Sequence, residues 1–393
     1  MTTEREVDVL VVGAGPGGIA AACAAAEAGH QVLVVDDNRA PGGQIWRGGP
    51  PQARRWLHRF RNPRIQLLSD TSVFACTSDR ILLAAQGNEV YQLRGRRLIL
   101  ATGARERFLP FPGWTLPNVT GAGGLQALVK GGLPIAGRRV IVAGTGPLLV
   151  AVAAYLRAQG ADVPLIAEQT DSSKLARFSG ALMRYPRKLV QALSLRMKLL
   201  GTRYLTSCWP VRAEGDGKIE TVTLRRGQRL WPEPCDYLAC GFGLVPNLDL
   251  PLLLGCKIRN GFVTVGDDVA TSLPGVYAVG ELTGIAGVDK AIYEGRTGRG
   301  YPRHFEQMLA EAFELRPELK ELATPDTIVC RCEDVPMASL RPEHNWRSAK
   351  LQTRCGMGPC QGRVCGPAVE FLLGWSLESV RPPILPTRID ALQ

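Results

Sequence analysis

Val7-Asp-Val-Leu-Val-Val-Gly13-Ala-Gly15-Pro16-Gly-Gly18 carries an apolar, strand-like segment into a glycine loop and then into an Ala-rich helix. In such a loop the first glycine permits a tight turn and the second lets the backbone approach a pyrophosphate. The third lets helix and strand pack closely. The free N–H groups and positive dipole end of the helix then face the anion. The helix stops at Gly29, a second strand follows over Gln31–Val35, and Asp36 closes it eighteen residues beyond Gly18. An acid at that point accepts the hydroxyls of an adenosine ribose. Strand, loop, helix, strand and acid in this order predict a dinucleotide-binding βαβ unit, with Gly13, Gly15, Pro16, Gly18 and Asp36 as its contacts.

The pattern occurs a second time. Gly144-Thr-Gly146-Pro-Leu-Leu149 follows the apolar segment Val140–Ala143 and precedes another Ala-rich helix, which stops at Gly160. The next strand, Asp162–Ala167, ends at Glu168. Gly144, Gly146 and Glu168 make a second nucleotide site, but Leu149 stands at the third glycine position and forces the helix away from the strand. Glu168 disfavours a 2′-phosphate, so NAD or an adenine nucleotide suits this site better than NADP. Three readings stay open: a working NAD(H) site, a nucleotide held without hydride transfer, and a vestigial scaffold.

Length and composition agree with two or three soluble domains: 393 residues, 45% hydrophobic and 21% charged. The net charge is +11, yet Lys and Arg are spread along the whole chain without a basic tail or an aromatic-interleaved stripe. A solvated basic surface is therefore expected, and nucleic acid is not expected as a partner. The first apolar run enters the glycine loop instead of a cleavage site, and no apolar stretch approaches the roughly 18–20 residues of a membrane span. Eleven cysteines in such a chain predict thiols and metal ligands in a reducing, cytoplasmic compartment. After Gly241 strand-like patterning resumes at Phe262–Val265 and Val276–Val279. One long helix is expected over 287–322, broken by Ala323-Thr-Pro325.

Leu100-Ala-Thr102-Gly103 ends a strand in small residues, and Val276-Tyr-Ala-Val-Gly280-Glu281 ends another in a glycine and an acid. On these motifs the chain resembles the two-dinucleotide-domain flavoproteins of the glutathione- and thioredoxin-reductase type. The resemblance implies FAD in the first site, with the late acid on a ribityl hydroxyl; here that acid is Glu281 where the family has Asp. It also brings Pro41-Gly42-Gly43-Gln44 to the flavin. The implied architecture is α/β, with two Rossmann-like domains: an FAD-binding domain (1–122 and 240–322) split by an inserted nucleotide-binding domain (123–239). No Cys-x-x-Cys is present, so the redox disulfide of thioredoxin reductases is missing.

Five of the eleven cysteines crowd the tail: Cys330-Arg-Cys332, then Cys355-Gly-Met-Gly-Pro-Cys360-Gln-Gly-Arg-Val-Cys365. Two close-spaced groups about 25 residues apart are a metal-site signature. Four thiolates suit tetrahedral zinc, but a [2Fe–2S] cluster is favoured after a flavin domain, where one-electron transfer has a use. Glycines 356, 358 and 362 offer N–H groups to cluster sulfurs, and Arg331, Arg354 and Arg363 offset cluster charge. Residues 326–380 resemble the small helical [2Fe–2S] domain of bacterioferritin-associated ferredoxin. That resemblance implies Cys330, Cys332, Cys360 and Cys365 as ligands, with Cys355 a spare thiol or substitute. Residues 381–393, with Pro382, Pro383 and Pro386, form an extended tail. Cys23, Cys76, Cys208, Cys235, Cys240 and Cys256 lack ligand spacing and read as small buried residues.

Two further stretches, Ala239-Cys-Gly-Phe-Gly-Leu-Val-Pro-Asn247 and Gly280-Glu-Leu-Thr-Gly-Ile-Ala-Gly287, resemble the A-type subunit of heteromeric FAD-dependent amino-acid and opine dehydrogenases. The group includes opine oxidase, hydrogen cyanide synthase and dye-linked proline and D-hydroxyproline dehydrogenases, and the likeness covers nearly the whole chain. As the partner that holds the substrate, it implies a D-amino-acid-oxidase-like FAD subunit. It further implies a second partner, a small ferredoxin-like subunit, and a quinone-type electron acceptor. The four histidines (His30, His58, His304, His344) sit in no general-base motif, so no catalytic residue is assigned to this chain. The expected role is electron transfer within a complex, cytoplasmic or peripheral to the inner face of the membrane. The alternatives are an autonomous NAD(H)-linked flavin reductase and a non-catalytic assembly subunit.

Overall fold

The apolar run before Gly13 forms the strand Thr2–Val12, flanked in parallel by Val32–Val35 and Glu89–Leu100. Side chains alternate across a strand, so Val9, Val11, Val32 and Val34 enter one core with the helix Pro16–Glu27. Leu10, Val12, Leu33 and Val35 enter another core on the opposite face. Both faces are covered, which is why these strands are continuously apolar instead of alternating. Ile65–Leu68 extends the sheet beyond Val32–Val35. On the other side, Glu89–Leu100 pairs near its start with the hairpin strand Leu82–Gln86 and near its end with Val276–Ala278. The helix Pro16–Glu27 is buried nearly all round, because the helix Val288–Thr297 packs against it. A Cβ at Gly295 would stand 2.2 Å from the Gly17 carbonyl oxygen, so the approach is set by glycine.

This computed structural model describes residues 2–77, 79–376 and 380–392. They divide into two compact units. The first holds the chain through Arg105, Val245–Glu306 and the C-terminal 380–392; the second holds Glu106–Leu244 and 307–376. The boundaries expected at 122/123 and 239/240 thus fall elsewhere. Val119–Gly121 pairs in parallel with Tyr237–Phe242, which draws the segment from Glu106 onward into the second unit.

The second unit is built on a five-stranded parallel sheet in the order Arg203–Leu205, Asp162–Glu168, Arg139–Thr145, Tyr237–Phe242, Val119–Gly121. A three-stranded antiparallel sheet (Cys208–Glu214, Thr221–Arg226, Arg229–Pro234) belongs to the same unit. The cysteine-bearing tail lies there too, around a core that includes Val329, Leu340, Trp346 and Val369. Trp114 Nε1 donates to the Ile328 carbonyl at 2.6 Å and ties it to the unit. Residues 377–379 of the expected 326–380 domain lie outside the described residues. The chain from 380 onward returns to the first unit, where Ile384 N donates to the Phe74 carbonyl at 2.8 Å.

The single helix expected over 287–322 is three elements: helices Val288–Thr297 and His304–Ala312, and a 3₁₀ turn Pro317–Glu321. Gly298 ends the first in the left-handed region at φ +61°, and Pro302 and Pro317 mark the following breaks. Both Ala-rich helices behave as expected, ending just before Gly29 and Gly160 at φ +92° and +87°.

Candidate functional site

Gly13 and Gly18 stand where only glycine fits. A Cβ at Gly18 would stand 1.8 Å from the Gly13 carbonyl oxygen, and one at Gly13 would meet the Ala101 carbonyl at 2.3 Å. At Gly15 nothing lies within 4 Å of that position, which leaves its backbone open to a phosphate. Pro16 is the first helical residue, where its missing N–H costs nothing. Asp36 is buried; Oδ2 accepts from Ala14 N in the loop, and Oδ1 accepts from Asn38 N and Nδ2, both at 2.8 Å. Gly42 N donates to the Ala14 carbonyl at 2.7 Å, which folds Gly43 over Gly15 and leaves Gln44 exposed beside it. Thr102 is locked to Asn247: its hydroxyl donates to the Asn247 carbonyl at 3.0 Å, and Asn247 Nδ2 donates back to the Thr102 carbonyl at 2.7 Å.

At the late strand, Glu281 Oε1 accepts from Gly287 N at 2.9 Å, whereas Oε2 is buried without a partner among the described residues. Burial pushes this carboxyl up to about 7, against the lowering effect of the Gly287 N–H and of Lys290. An unpaired buried carboxylate oxygen is costly, and a ribityl hydroxyl donating there would satisfy it. Glu in place of Asp therefore fits FAD at this position.

Sequence reasoning missed the cluster behind Glu281. Lys290 and Glu294 are both buried and paired at 3.0 Å. Lys290 Nζ also donates to the Gly280 carbonyl at 2.7 Å and to the Thr283 hydroxyl. Glu294 Oε2 accepts from Gly280 N at 2.8 Å, so the pair clamps the Gly280 turn from both its N–H and its carbonyl. The available signal was a Lys and a Glu four residues apart on one helix.

The second loop holds its acid much as the first does, but a later segment lies over it. Glu168 is fully buried; Oε1 accepts from Thr170 N at 2.9 Å, and Oε2 accepts from Gly146 N at 2.8 Å and from the Tyr204 hydroxyl at 3.4 Å. Burial raises its pKa against the lowering effect of the Thr170 and Gly146 N–H groups. Like Asp36 in the first unit, this carboxylate accepts from its glycine loop and from the residue two positions on. The segment Ala312–Arg316 lies across the same end of the sheet. Gln169 Nε2 donates to the Glu314 carbonyl at 3.1 Å, and Arg316 N donates to Gln169 Oε1 at 3.1 Å. The Phe313 ring approaches to 3.9 Å of where a Gly146 Cβ would stand, and it packs edge-on against Phe178 at 5.0 Å. Leu149 is fully buried against Gly241, which absorbs the volume that the missing glycine would have spared.

The tail gathers its five cysteines as a trio and a pair. The Cys330, Cys355 and Cys365 sulfurs lie within 4.8 Å of one another. Cys332, exposed, hydrogen-bonds to Cys360. The Cys355 and Cys365 thiols donate to Cys330, joined by the N–H groups of Gly356 and Glu333, and hold its thiol down to about 2. An anion-stabilising nest of this kind suits a metal thiolate. Trp346 covers the loop, its Cζ2 standing 2.7 Å from where a Gly356 Cβ would be; its buried Nε1 has no partner among the described residues. An orphaned buried N–H on the ring that packs against Gly356 and Gly362, in the loop that carries Cys360, fits a group there that accepts hydrogen bonds. Of the six scattered cysteines, Cys23, Cys208, Cys235, Cys240 and Cys256 are buried as expected, and Cys76 is only half-buried. Burial pushes Cys23 up to about 11 and Cys208 and Cys235 up to about 12, so these thiols are inert.

Residues 7–295 match the family model described as pyridine nucleotide-disulphide oxidoreductase. The chain is 30% identical to the A-type subunit of opine oxidase from Rhizobium meliloti over 96% of both chains. It is also 30% identical to hydrogen cyanide synthase subunit HcnB of Pseudomonas aeruginosa, over 91% of this chain and 90% of that one. Among solved structures, L-proline dehydrogenase from P. horikoshii shares the fold at a TM-score of 0.71 and 20% identity, covering all of this chain and 80% of that one. Thioredoxin reductase from T. acidophilum shares it at 0.58 and 20% identity, covering 75% of this chain and 96% of that one. This chain is an FAD-dependent oxidoreductase subunit that belongs to the pyridine nucleotide-disulphide oxidoreductase family, in the branch that contains HcnB and the A-type subunit of opine oxidase.

Proposed function

We propose that this chain is the electron-transfer subunit of a heteromeric amino- or imino-acid dehydrogenase of the opine, proline or hydroxyproline type. FAD would be held by the Gly13–Gly18 loop, Asp36, Gly43, Gln44, Thr102, Gly103, Gly280 and Glu281. A [2Fe–2S] cluster would be held by Cys330, Cys332, Cys360 and Cys365. The observation that carries this reading is the occluded second cleft. With the Phe313 ring against Gly146 and the segment Ala312–Arg316 hydrogen-bonded across the same strand ends, the second loop is covered where a dinucleotide would approach. Electrons then have to arrive from a partner, and the relatives named above are themselves subunits. The partner in this reading is a D-amino-acid-oxidase-like FAD subunit carrying the substrate, with a small ferredoxin-like subunit in addition. The outlet is a quinone-type acceptor at the inner face of the membrane.

Bound together, the two groups supply one- and two-electron chemistry; the chain supplies their position and potential. The pairs Cys330–Cys365 and Cys332–Cys360 each join one cysteine from the start of the tail to one from its glycine-rich loop, which suits two irons with two thiolates apiece. Cys355 then remains as a buried donor to Cys330.

Anaerobic mixing separates this reading from an NADH-fed reductase. The flavin spectrum of the isolated chain is expected to stay oxidised with NADH or NADPH. Amino- or imino-acid substrates are expected to bleach it only when the partner subunit is present. Rapid bleaching of the isolated chain by NADH overturns the proposal.

A further inference from the structure

Residues 172–213 contain nine Lys and Arg residues and no Asp or Glu. Within that stretch the helix Pro186–Lys198 has no fully buried residue, although half of its sequence is apolar. Its inner side rests on the helix Pro147–Ala158, with Leu195 against that core. Val190, Leu193 and Met197 recur at three- and four-residue spacing and share the outer face. Met183 and Leu200 prolong this ridge at either end, and all five side chains are between 58% and 72% exposed. Arg187 and Lys198 flank one side of the ridge, and Arg196, stacked over the Tyr204 ring, flanks the other. The sequence-level picture of bases spread evenly along the chain therefore does not hold for this segment.

We propose that this face docks on an anionic phospholipid bilayer, the ridge entering the headgroup–acyl boundary and the arginines and lysines meeting lipid phosphates. The combination of a narrow apolar stripe, basic flanks and a charged polar face is that of an interfacial helix. Lys174, Arg203 and Arg212 are ion-paired with Glu314, Glu233 and Glu214, while the bases beside the ridge itself, Arg187, Arg196 and Lys198, match a negative surface. Protein interfaces are depleted in lysine, and Lys198 stands beside the ridge. No helix among the described residues is long and apolar enough to cross a membrane, so attachment through this face is peripheral. The inference rests on the membrane-side outlet of the proposed function for its purpose, not for its chemistry.

Flotation of the full-length protein with vesicles tests it. Binding is expected with phosphatidylglycerol-containing vesicles at low salt, and is expected to be lost with pure phosphatidylcholine or at high salt. Leu193→Glu with Met197→Glu abolishes it. The triple reversal Arg187→Glu, Arg196→Glu, Lys198→Glu lowers partitioning roughly a hundred-fold, from about tenfold or less per charge. Circular dichroism and flavin absorbance check that these exposed substitutions leave the fold and FAD in place. The proposal is overturned if the native protein ignores anionic vesicles, or if both variants float as it does. It is equally overturned if the variants lose a co-purifying subunit while vesicle binding is unchanged, since the face is then a protein interface. Flotation requires no electron transfer, so its outcome and that of the NADH experiment are independent.

Discussion

Glu281 carries an electrostatic load that a single substitution reveals. In the unfolded chain its carboxyl ionises near 4.5, and in the folded chain it keeps its proton up to about 7. Between those values the native state binds more protons than the unfolded one. The contribution of this group is therefore fully present below pH 4.5 and is lost as the pH rises through 7, a change of about 3 kcal/mol. In the flavin-free protein, Glu281→Gln is expected to match the parent below pH 4.5 and to exceed it above pH 7 in thermal unfolding. Equal stability of the two above pH 7 counts against an unpartnered Oε2. The cysteines make a second residue-scale prediction. Cys365→Ala is expected to abolish the visible and EPR signals of the cluster, while Cys355→Ala keeps them with an altered line shape. The reverse outcome assigns Cys355 as the ligand. The spacing of the five cysteines left both sets open; folding adds that Cys355 hydrogen-bonds to Cys330 from the core side.

Among elements, the helices whose ends are written in local chemistry were legible in advance, and those defined by tertiary contact were not. Gly29 and Gly160 end their helices as a C-terminal signal does. The stretch 287–322 keeps an apolar periodicity that runs across Gly298, Pro302 and Pro317, so its pattern suggested one helix where breakers make three pieces. The helix Ser172–Ala181, which opens the basic segment, starts on Asp171: its Oδ1 accepts from Lys174 N at 2.9 Å and from the Ser173 hydroxyl. Asp171→Ala removes that cap and is expected to cost about 1 kcal/mol, read as a lower denaturant midpoint. A midpoint that does not move means the end is held by packing instead. The segment Ala312–Arg316 has no motif of its own. Its position over the second glycine loop depends on Gln169, Phe178 and Gly146, which lie more than a hundred residues away in the chain.

On the scale of the whole molecule, the sequence by itself determined the two βαβ units, their order, the cysteine-rich tail and the family. Each of these is encoded over short distances: glycines at fixed offsets from a strand, an acid at its partner strand's end, thiols a few residues apart. It also determined the shape of the first glycine loop, since Gly13 and Gly18 leave no room for a side chain. Tertiary structure alone decided the rest. It laid Ala312–Arg316 and the Phe313 ring over the second glycine loop, whereas nothing lies within 4 Å of where a Cβ would stand at Gly15 of the first. It assigned Glu106–Leu244 and 307–376 to one unit, because a sheet partner and a hydrogen bond from Trp114 outweigh nearness in sequence. It left the outer face of Pro186–Lys198 uncovered, although the sequence of that helix is apolar enough to be buried. The reason is common to all three. A side chain's chemistry is written locally, but whether its lone pairs are taken, or its surface covered, depends on groups that only folding brings alongside.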